Sequence, residues 1–184
     1  MTQMKVSIGL FNPKSPENVD AVLRAAGNYG ADGIFYTGTR YLKALALNPD
    51  IPNIRRRVSE NILLNQVDCL VSSVPINTRI VCVEFAENAS ALPAYEHPDN
   101  ACYIFGPEDG SLPQTIIDKA DAVVYVPTKG CMNLAATVNV LLYDRMQKLS
   151  QFDANQLGLA QLDSANTLIR ESRDTNNNLK VRIK

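Results

Sequence analysis

Hydrophobic and polar positions follow a regular alternation along the first part of the chain. Residues 5–11, KVSIGLF, form a short apolar run that is typical of a buried strand. Residues 15–30 then show apolar positions at helical spacing, with Ser15 as the expected N-cap and Gly30 as the expected stop. A second apolar run at 32–38 predicts the next strand. This strand–helix–strand order favours a parallel sheet with a right-handed crossover.

The same alternation returns in the second half of the chain. The predicted elements are strands at 79–85, 101–106 and 122–127 and helices at 111–120 and 132–149. The segment 40–73 is less regular and gives no clear element. Five or six strands alternating with helices indicate an α/β domain, and ligand chemistry is expected where loops leave the carboxyl ends of the strands.

The length of 184 residues, of which 46% are hydrophobic, fits one compact domain with a core. We expect this domain to cover residues 1–149. Residues 150–184 are polar and weakly patterned, which predicts an appended helix or a partly disordered tail with a basic end.

Charge and cysteine content narrow the class of protein. A formal net charge of −1 gives no overall attraction to nucleic acid, so any RNA contact has to come from a local basic patch or a dimer surface. The four cysteines contain no CxxC pair, and the single histidine, His97, leaves no zinc-ligand set. We therefore expect free thiols in a reducing cytoplasm. No apolar window approaches the roughly 20 residues of a membrane span, and the N-terminal apolar stretch is too short for a signal peptide, which predicts a soluble intracellular protein.

Unusual residues follow three of the predicted strands. In the first helix, Asn18 and Arg24 lie six positions apart, and a solvent-facing arginine with its stem on the apolar face is an equal alternative for Arg24. In the loop GPEDGSLP at 106–113, two glycines bracket Glu108 and Asp109. Their backbone amides can approach a ligand closely, and the carboxylates can accept from a ribose hydroxyl or an amine. The alternative is an ordinary turn before a helix that Ser111 caps.

The third loop leads into the last helix. Asn133 stands where an N-cap belongs, and Leu134, Val138, Leu141 and Leu142 form the expected buried stripe. Asn139 falls off the centre of this stripe and is expected to face a partner subunit or the preceding loop.

Taken together, the three loops resemble the ordered motifs of the SpoU-type RNA methyltransferases of the SPOUT class. The matching stretches are NVDAVLRAAGNYGA, IFGPEDGSLP and VYVPTKGCMNLAATVNVLLYD, and the resemblance covers about residues 5–148. Each motif alone is only moderately specific, but three in this order and spacing are a strong signal. The resemblance implies a parallel-sheet α/β domain with a deep C-terminal trefoil knot, a homodimer, and metal-free methyl transfer from S-adenosylmethionine to a ribose 2′-hydroxyl of tRNA or rRNA. A knot departs from the general avoidance of threaded chains.

The resemblance also assigns roles residue by residue. It implies a catalytic set of Asn18, Arg24, Glu108 and Asn133 and a cofactor-binding set of Gly106, Val126, Cys131, Met132 and Asn133. A ribose hydroxyl is a poor nucleophile, so the enzyme mainly needs to align it and to assist loss of its proton. Because a guanidinium group stays protonated in proteins, we favour Arg24 orienting the hydroxyl and stabilising developing oxyanion charge.

Three features depart from the family pattern. Asp20 stands where a small residue is common, Cys131 where serine is usual, and the loop between Val126 and Cys131 is about three residues shorter than usual. A thiol is a weaker donor than a hydroxyl. These departures put the substrate and the shape of the cofactor pocket in question.

RNA binding would need a basic surface. The candidates are Arg40, Lys43, Arg55, Arg56 and Arg57, with Lys180, Arg182 and Lys184 in the tail. The alternative for the RRR run is a solvated loop, whereas phosphate contacts would make binding steeply salt-dependent. We expect no added RNA-binding domain before the catalytic part, which favours a small structured substrate such as a tRNA stem-loop slightly over a large ribosomal site. Methylation of a base, or RNA binding without catalysis, are the alternative functions.

Overall fold

The computed structural model describes residues 5–47 and 59–150, with Ser150 described only as the end of a helix. Within them the strands are β1 (Val6–Leu10), β2 (Gly33–Tyr36), β3 (Leu63–Gln66), β4 (Arg79–Val83), β5 (Ser90–Ala91), β6 (Ala101–Phe105) and β7 (Ala122–Tyr125). The α-helices are α1 (Pro16–Asn28), α2 (Arg40–Leu47), α3 (Gln114–Ile117) and α4 (Leu134–Ser150).

The strands form one sheet in the order β3-β2-β1-β6-β4-β7-β5, and every pairing is parallel. β1 and β6 lie side by side near the middle, in register from Val6 opposite Ala101 to Leu10 opposite Phe105. The predicted parallel α/β class is therefore confirmed. The trefoil knot that the resemblance implies stays a prediction.

The central strands are buried on both faces of the sheet. All residues of β1 and β6 are buried, which explains why VSIGL and ACYIF are continuous runs without polar alternation. One face packs into a core that includes the predicted α4 stripe of Leu134, Val138, Leu141 and Leu142. The other face packs into a smaller cluster around Leu70, Ile104 and Leu112. The four cysteines are free, as predicted.

Helix α1 begins as its sequence predicts. The Ser15 hydroxyl accepts a hydrogen bond from the Asn18 amide at 3.2 Å, and Pro16 occupies the first turn. Gly30 follows the helix with a φ of 67°, a left-handed conformation that favours glycine. These local signals define where α1 begins and ends, and they place Asn18 in its first turn.

Some elements differ from the sequence pattern. The segment 40–73, which gives no clear signal, contains α2 and the edge strand β3. β3 has the sequence LLNQ with three exposed residues, so its pairing with β2, and not a hydrophobic pattern, defines it. The cap proposed for Ser111 is wrong, because Pro113 occupies the N-cap of α3 and no side chain caps it.

The chain divides into two compact units. The first, Met1–Met146, contains the whole sheet, and of the second, Gln147–Lys184, the structure describes only the end of α4. The predicted extension beyond Ser150 lies outside the described residues. The boundary between a 1–149 domain and a 150–184 extension therefore stays a prediction.

The only histidine of the chain lies in a buried polar network. The His97 side chain is fully buried, with Nδ1 2.6 Å from the Tyr103 hydroxyl and Nε2 2.9 Å from Oδ2 of Asp144. Arg145 donates to the carbonyls of Pro98 and Asp99 and to the Tyr103 hydroxyl. Burial raises the pKa of Tyr103 to about 12, so this phenol stays neutral. The network joins the second half of α4 to the segment that precedes β6.

Candidate active site

A cleft of about 260 Å³ opens at the carboxyl ends of β4, β6 and β7. This is the edge of a parallel sheet at which ligands generally bind. Seven of the predicted catalytic and cofactor-binding residues line it: Asn18, Gly106, Glu108, Val126, Cys131, Met132 and Asn133. The structure thus brings all five members of the predicted cofactor-binding set into one cavity.

Glu108 joins the first and second motifs. Its Oε2 accepts the backbone amide of Lys14 at 2.9 Å, and its Oε1 accepts the backbone amide of Ser15 at 2.9 Å and the Asn18 side-chain amide at 3.2 Å. Burial alone would raise the pKa of Glu108, but these donors together lower it below its usual value. The carboxylate is therefore a fixed negative group that holds the start of α1 against the 106–113 loop.

The neighbouring carboxylate makes a second set of contacts. Both oxygens of Asp109 accept from Nη2 of Arg40, at 2.8 and 2.7 Å, and Oδ2 lies 3.3 Å from Nζ of Lys14. The hydrogen bond from Arg40 lowers the pKa of Asp109. Arg40, a predicted RNA-binding residue, is thus already paired with this loop. Lys43, one turn further along α2, is exposed.

Gly106 lies where the chain leaves β6 and turns into the cleft. A Cβ atom at this position would lie 3.3 Å from Oε2 of Glu84 and 3.3 Å from the backbone nitrogen of Leu112. The same two groups form a hydrogen bond of 2.8 Å. The absence of a side chain therefore allows the loop backbone to pass close to the wall of the cleft.

The entrance of α4 forms another side of the cleft. Oδ1 of Asn133 accepts the Ala136 amide at 2.7 Å, so the predicted N-cap is confirmed. Cys131 and Met132 precede it and also line the cleft, with Cys131 exposed. Nδ2 of Asn139 donates to the Ala135 carbonyl at 2.8 Å. This bond places Asn139 against its own helix, whereas a contact with a partner subunit stays a prediction.

Arg24 is not among the residues that line the cleft. It is half-buried on α1, six positions after Asn18, which corresponds to about 9 Å along a helix and about 120° around it. The structure therefore brings Asn18 into the cleft but not Arg24, whose catalytic role stays a prediction. Arg55, Arg56 and Arg57, and the basic tail residues, lie outside the described residues.

Several cleft residues were missed by the sequence reasoning, and three of them lie at strand ends. Glu84 and Phe85 directly follow β4, and Tyr125 ends β7. The Phe85 and Tyr125 rings have centroids 5.9 Å apart at an interplanar angle of 44°, and Phe85 is 56% exposed. Their position at strand ends was the available signal, because residues at the carboxyl ends of parallel strands share one edge of the sheet.

Two negative findings apply to the described part of the chain. No group of three or more His, Cys, Asp or Glu side chains there is placed to hold a metal ion. None of the helices described has the length and apolar character needed to cross a membrane.

Comparison with known proteins gives one family and several relatives. The model of a family described as the SpoU rRNA Methylase family matches residues 5–143. A protein of Methanocaldococcus jannaschii, tRNA (cytidine-2′-O-)-methyltransferase TrmJ, is 26% identical over 154 residues, which cover 76% of this chain and 66% of the relative. The chain thus spans just under two thirds of that protein.

Solved structures share the fold. One, from a study of the 2-OH methylation of C/U34 on tRNA, has a TM-score of 0.66 at 19% identity. The match covers 82% of this chain and 94% of the solved one. Another, the SpoU methyltransferase AviRb from Streptomyces viridochromogenes in complex with AdoMet, has a TM-score of 0.61 at 15% identity and covers 81% and 59%. At these identities the likeness is one of fold.

Proposed function

The chain belongs to the SpoU rRNA Methylase family, and from this premise we propose that it transfers a methyl group from S-adenosylmethionine to a ribose 2′-hydroxyl of tRNA or rRNA. The membership confirms the resemblance seen in the three sequence motifs. The observation that carries the proposal is the single cleft that gathers Asn18, Glu108 and the whole predicted cofactor-binding set.

The residues present fit the methyl donor. Gly106 lines the cleft and places loop backbone without a side chain on its wall. Apolar side chains of Val126, Met132 and Leu134 offer surface for a purine, and nearby backbone groups offer hydrogen bonds. When bound, S-adenosylmethionine supplies an already activated sulfonium methyl group.

Positioning is then the main task of the chain's own residues. Arg24 orients the ribose hydroxyl and stabilises the negative charge that develops on its oxygen. Glu108 fixes Asn18 at the start of the same helix, so the two motif residues are held on one rigid element. Asn133 caps the N-terminus of α4 and so stabilises the first turn of this helix beside the cleft.

A second copy of the chain is the partner that we propose beside RNA. Val140, Tyr143 and Met146 are 38%, 54% and 44% exposed and follow one another at three-residue spacing on α4. Such an apolar helix face suits a homodimer interface. Sedimentation of the full chain tests this, since a monomer at micromolar concentration would contradict it.

We place the RNA at the mouth of the cleft, near Lys14, Arg40 and Lys43. Lys14 and Lys43 are exposed, and Arg40 could exchange its Asp109 partner for a phosphate. The activity of the M. jannaschii relative on tRNA favours a tRNA substrate, whereas the description of the matching family favours rRNA. With a tRNA substrate, the protein would act in the cytoplasm.

Nucleoside analysis decides between these substrates. Modified nucleosides in total tRNA and rRNA would be compared by mass spectrometry between cells with and without the gene. Loss of one nucleoside that carries its methyl group on the sugar fragment is expected in one of the two RNA pools. Loss of a base-methylated nucleoside would overturn the ribose assignment. No loss, together with no calorimetric binding of S-adenosylmethionine at high micromolar concentration, would indicate an RNA-binding protein without catalysis.

A further inference from the structure

Glu84 is a charged residue of the cleft that none of the three motifs assigns. It follows β4 directly, is half-buried and lines the cavity. Its Oε2 accepts the Leu112 backbone amide at 2.8 Å, and its Oε1 accepts the Phe85 backbone amide at 3.0 Å. Because each carboxylate oxygen has two acceptor sites, each has one left after these hydrogen bonds among the described residues.

Charge in the cleft is one-sided. Glu84 and Glu108 both line it, and no lysine or arginine occurs among the described residues that do. The charge of Glu108 is balanced by two backbone amides at the positive end of α1 and by the Asn18 amide. Among the described residues, Glu84 accepts one hydrogen bond fewer than Glu108, from two backbone amides, so more of its negative charge acts on whatever occupies the cavity.

The carboxylate lies next to the backbone assigned to the methyl donor. A Cβ atom on Gly106 would lie 3.3 Å from Oε2 of Glu84, so this oxygen lies on the side of the glycine where a side chain would be. Because the group is half-buried, solvent and salt screen its field less than that of an exposed carboxylate.

We propose that Glu84 makes the cleft selective for a positively charged nucleoside, so that the sulfonium donor binds more tightly than its demethylated product. This inference rests on the proposed methyl transfer. In that reaction the carbon–sulfur bond breaks with its electron pair going to sulfur, the methyl group joins the ribose oxygen, and the hydroxyl proton passes to solvent water. The cofactor thereby loses its positive charge and becomes a neutral thioether, while its amino-acid part is unchanged and cancels in the comparison. Loss of attraction to Glu84 then favours product release.

Calorimetry of three ligands tests the proposal on the full chain. The ligands are S-adenosylmethionine, S-adenosylhomocysteine and sinefungin, which carries a protonated amine near the position of the sulfonium. Glu84→Gln should weaken binding of the two cationic ligands by about tenfold and that of the neutral ligand by less than about twofold. Glu87→Gln is the matched control, because Glu87 is an exposed carboxylate three residues away that does not line the cleft. This variant should bind all three ligands as the wild type does.

Each other outcome has a separate meaning. Equal weakening of all three ligands would overturn the proposal and leave Glu84 as an anchor of the Leu112 loop. Absence of binding of every ligand to the wild type would overturn the proposed function and this inference together.

Salt dependence of the wild type provides a test that needs no variant, should Glu84→Gln fail to fold. The preference for the cationic ligands should shrink when ionic strength rises from about 0.02 to about 0.5 M. Because the half-buried carboxylate is screened only in part, this decrease should be modest, and the absence of any preference for the cationic ligands at low salt would overturn the proposal.

Discussion

The side-chain amide of Asn18 donates to Oε1 of Glu108 over 3.2 Å, although the two residues lie 90 positions apart in the chain. The same carboxylate receives the backbone amides of Lys14 and Ser15. One side chain therefore fixes the first helix against the loop that follows β6, and a change at Glu108 should affect both.

Glu108→Gln should lower the stability of the protein at neutral pH. It should also reduce the loss of stability that the protein undergoes as pH falls. The pKa of Glu108 in the folded protein is lowered from its usual value of 4.5, so its stabilising effect is complete above that value and is lost as pH falls through the lower folded pKa. We expect a loss of about 1–2 kcal/mol in the free energy of unfolding at pH 7, from weakened hydrogen bonds to a charged acceptor. Urea titrations at pH 7 and pH 3.5 would measure it. The gap between wild type and variant should narrow at the lower pH, and an equal gap at both would contradict the prediction.

Arg24→Ala should abolish most turnover without weakening binding of the methyl donor. Arg24 does not line the cleft, whereas we assign it to the ribose hydroxyl. Removal of one preorganised donor to a developing oxyanion costs about 100-fold or more in kcat. Single-turnover methylation and calorimetry with S-adenosylmethionine would separate the two effects. Arg79→Ala is the control, because Arg79 is a largely exposed arginine whose loss should leave both quantities nearly unchanged. Near-wild-type turnover of Arg24→Ala would refute the assignment.

Gly106→Ala should weaken donor binding, because a methyl group would press on Glu84 and on the Leu112 backbone at 3.3 Å. A misplacement of the loop by a few tenths of an ångström in a close-packed site should lower affinity by about tenfold. Gly130→Ala offers a matched control, since a Cβ there meets nothing within 4 Å. Calorimetry on both variants would measure the difference. Equal affinities would show that the space at Gly106 is not used by the ligand.

Arg145→Ala should destabilise the fold while leaving donor affinity intact. Arg145 is 5% exposed and donates to two backbone carbonyls and the Tyr103 hydroxyl, so its removal takes three hydrogen bonds from groups that are at least partly buried. We expect a loss of about 2–4 kcal/mol in the free energy of unfolding. Lys119→Ala, at an exposed cation, should change stability by less than about 0.5 kcal/mol. Thermal and urea unfolding would measure both variants, and a loss near that of Lys119→Ala would argue against a structural role for Arg145.

The parts of the fold that the sequence predicts are those with strong local patterns. β1 and β6 are recognisable because strands buried on both faces are continuously apolar, and α1 because Ser15 and Gly30 mark its ends. β3 has no such pattern, since an edge strand with exposed polar residues is defined by its hydrogen bonds to β2.

The candidate site divides in the same way. Asn18, Glu108 and Asn133 belong to motifs with recognisable neighbours, and the structure places all three in the cleft. Glu84 and Phe85 were missed because VEFAE contains no motif, and their position at a strand end was the only signal available. They reach the cleft only because β4 lies between β6 and β7, an order that does not follow the chain.

The pairing of β1 with β6 has a further consequence for synthesis of the protein. Val6 lies opposite Ala101, so the centre of the sheet closes a loop of about 95 residues, and such long-range pairing is entropically costly and slow. During translation the first two strands and α1 leave the ribosome long before their central neighbour does. We expect the nascent chain to remain unable to bind its ligands until the last quarter of the sheet-forming unit has emerged.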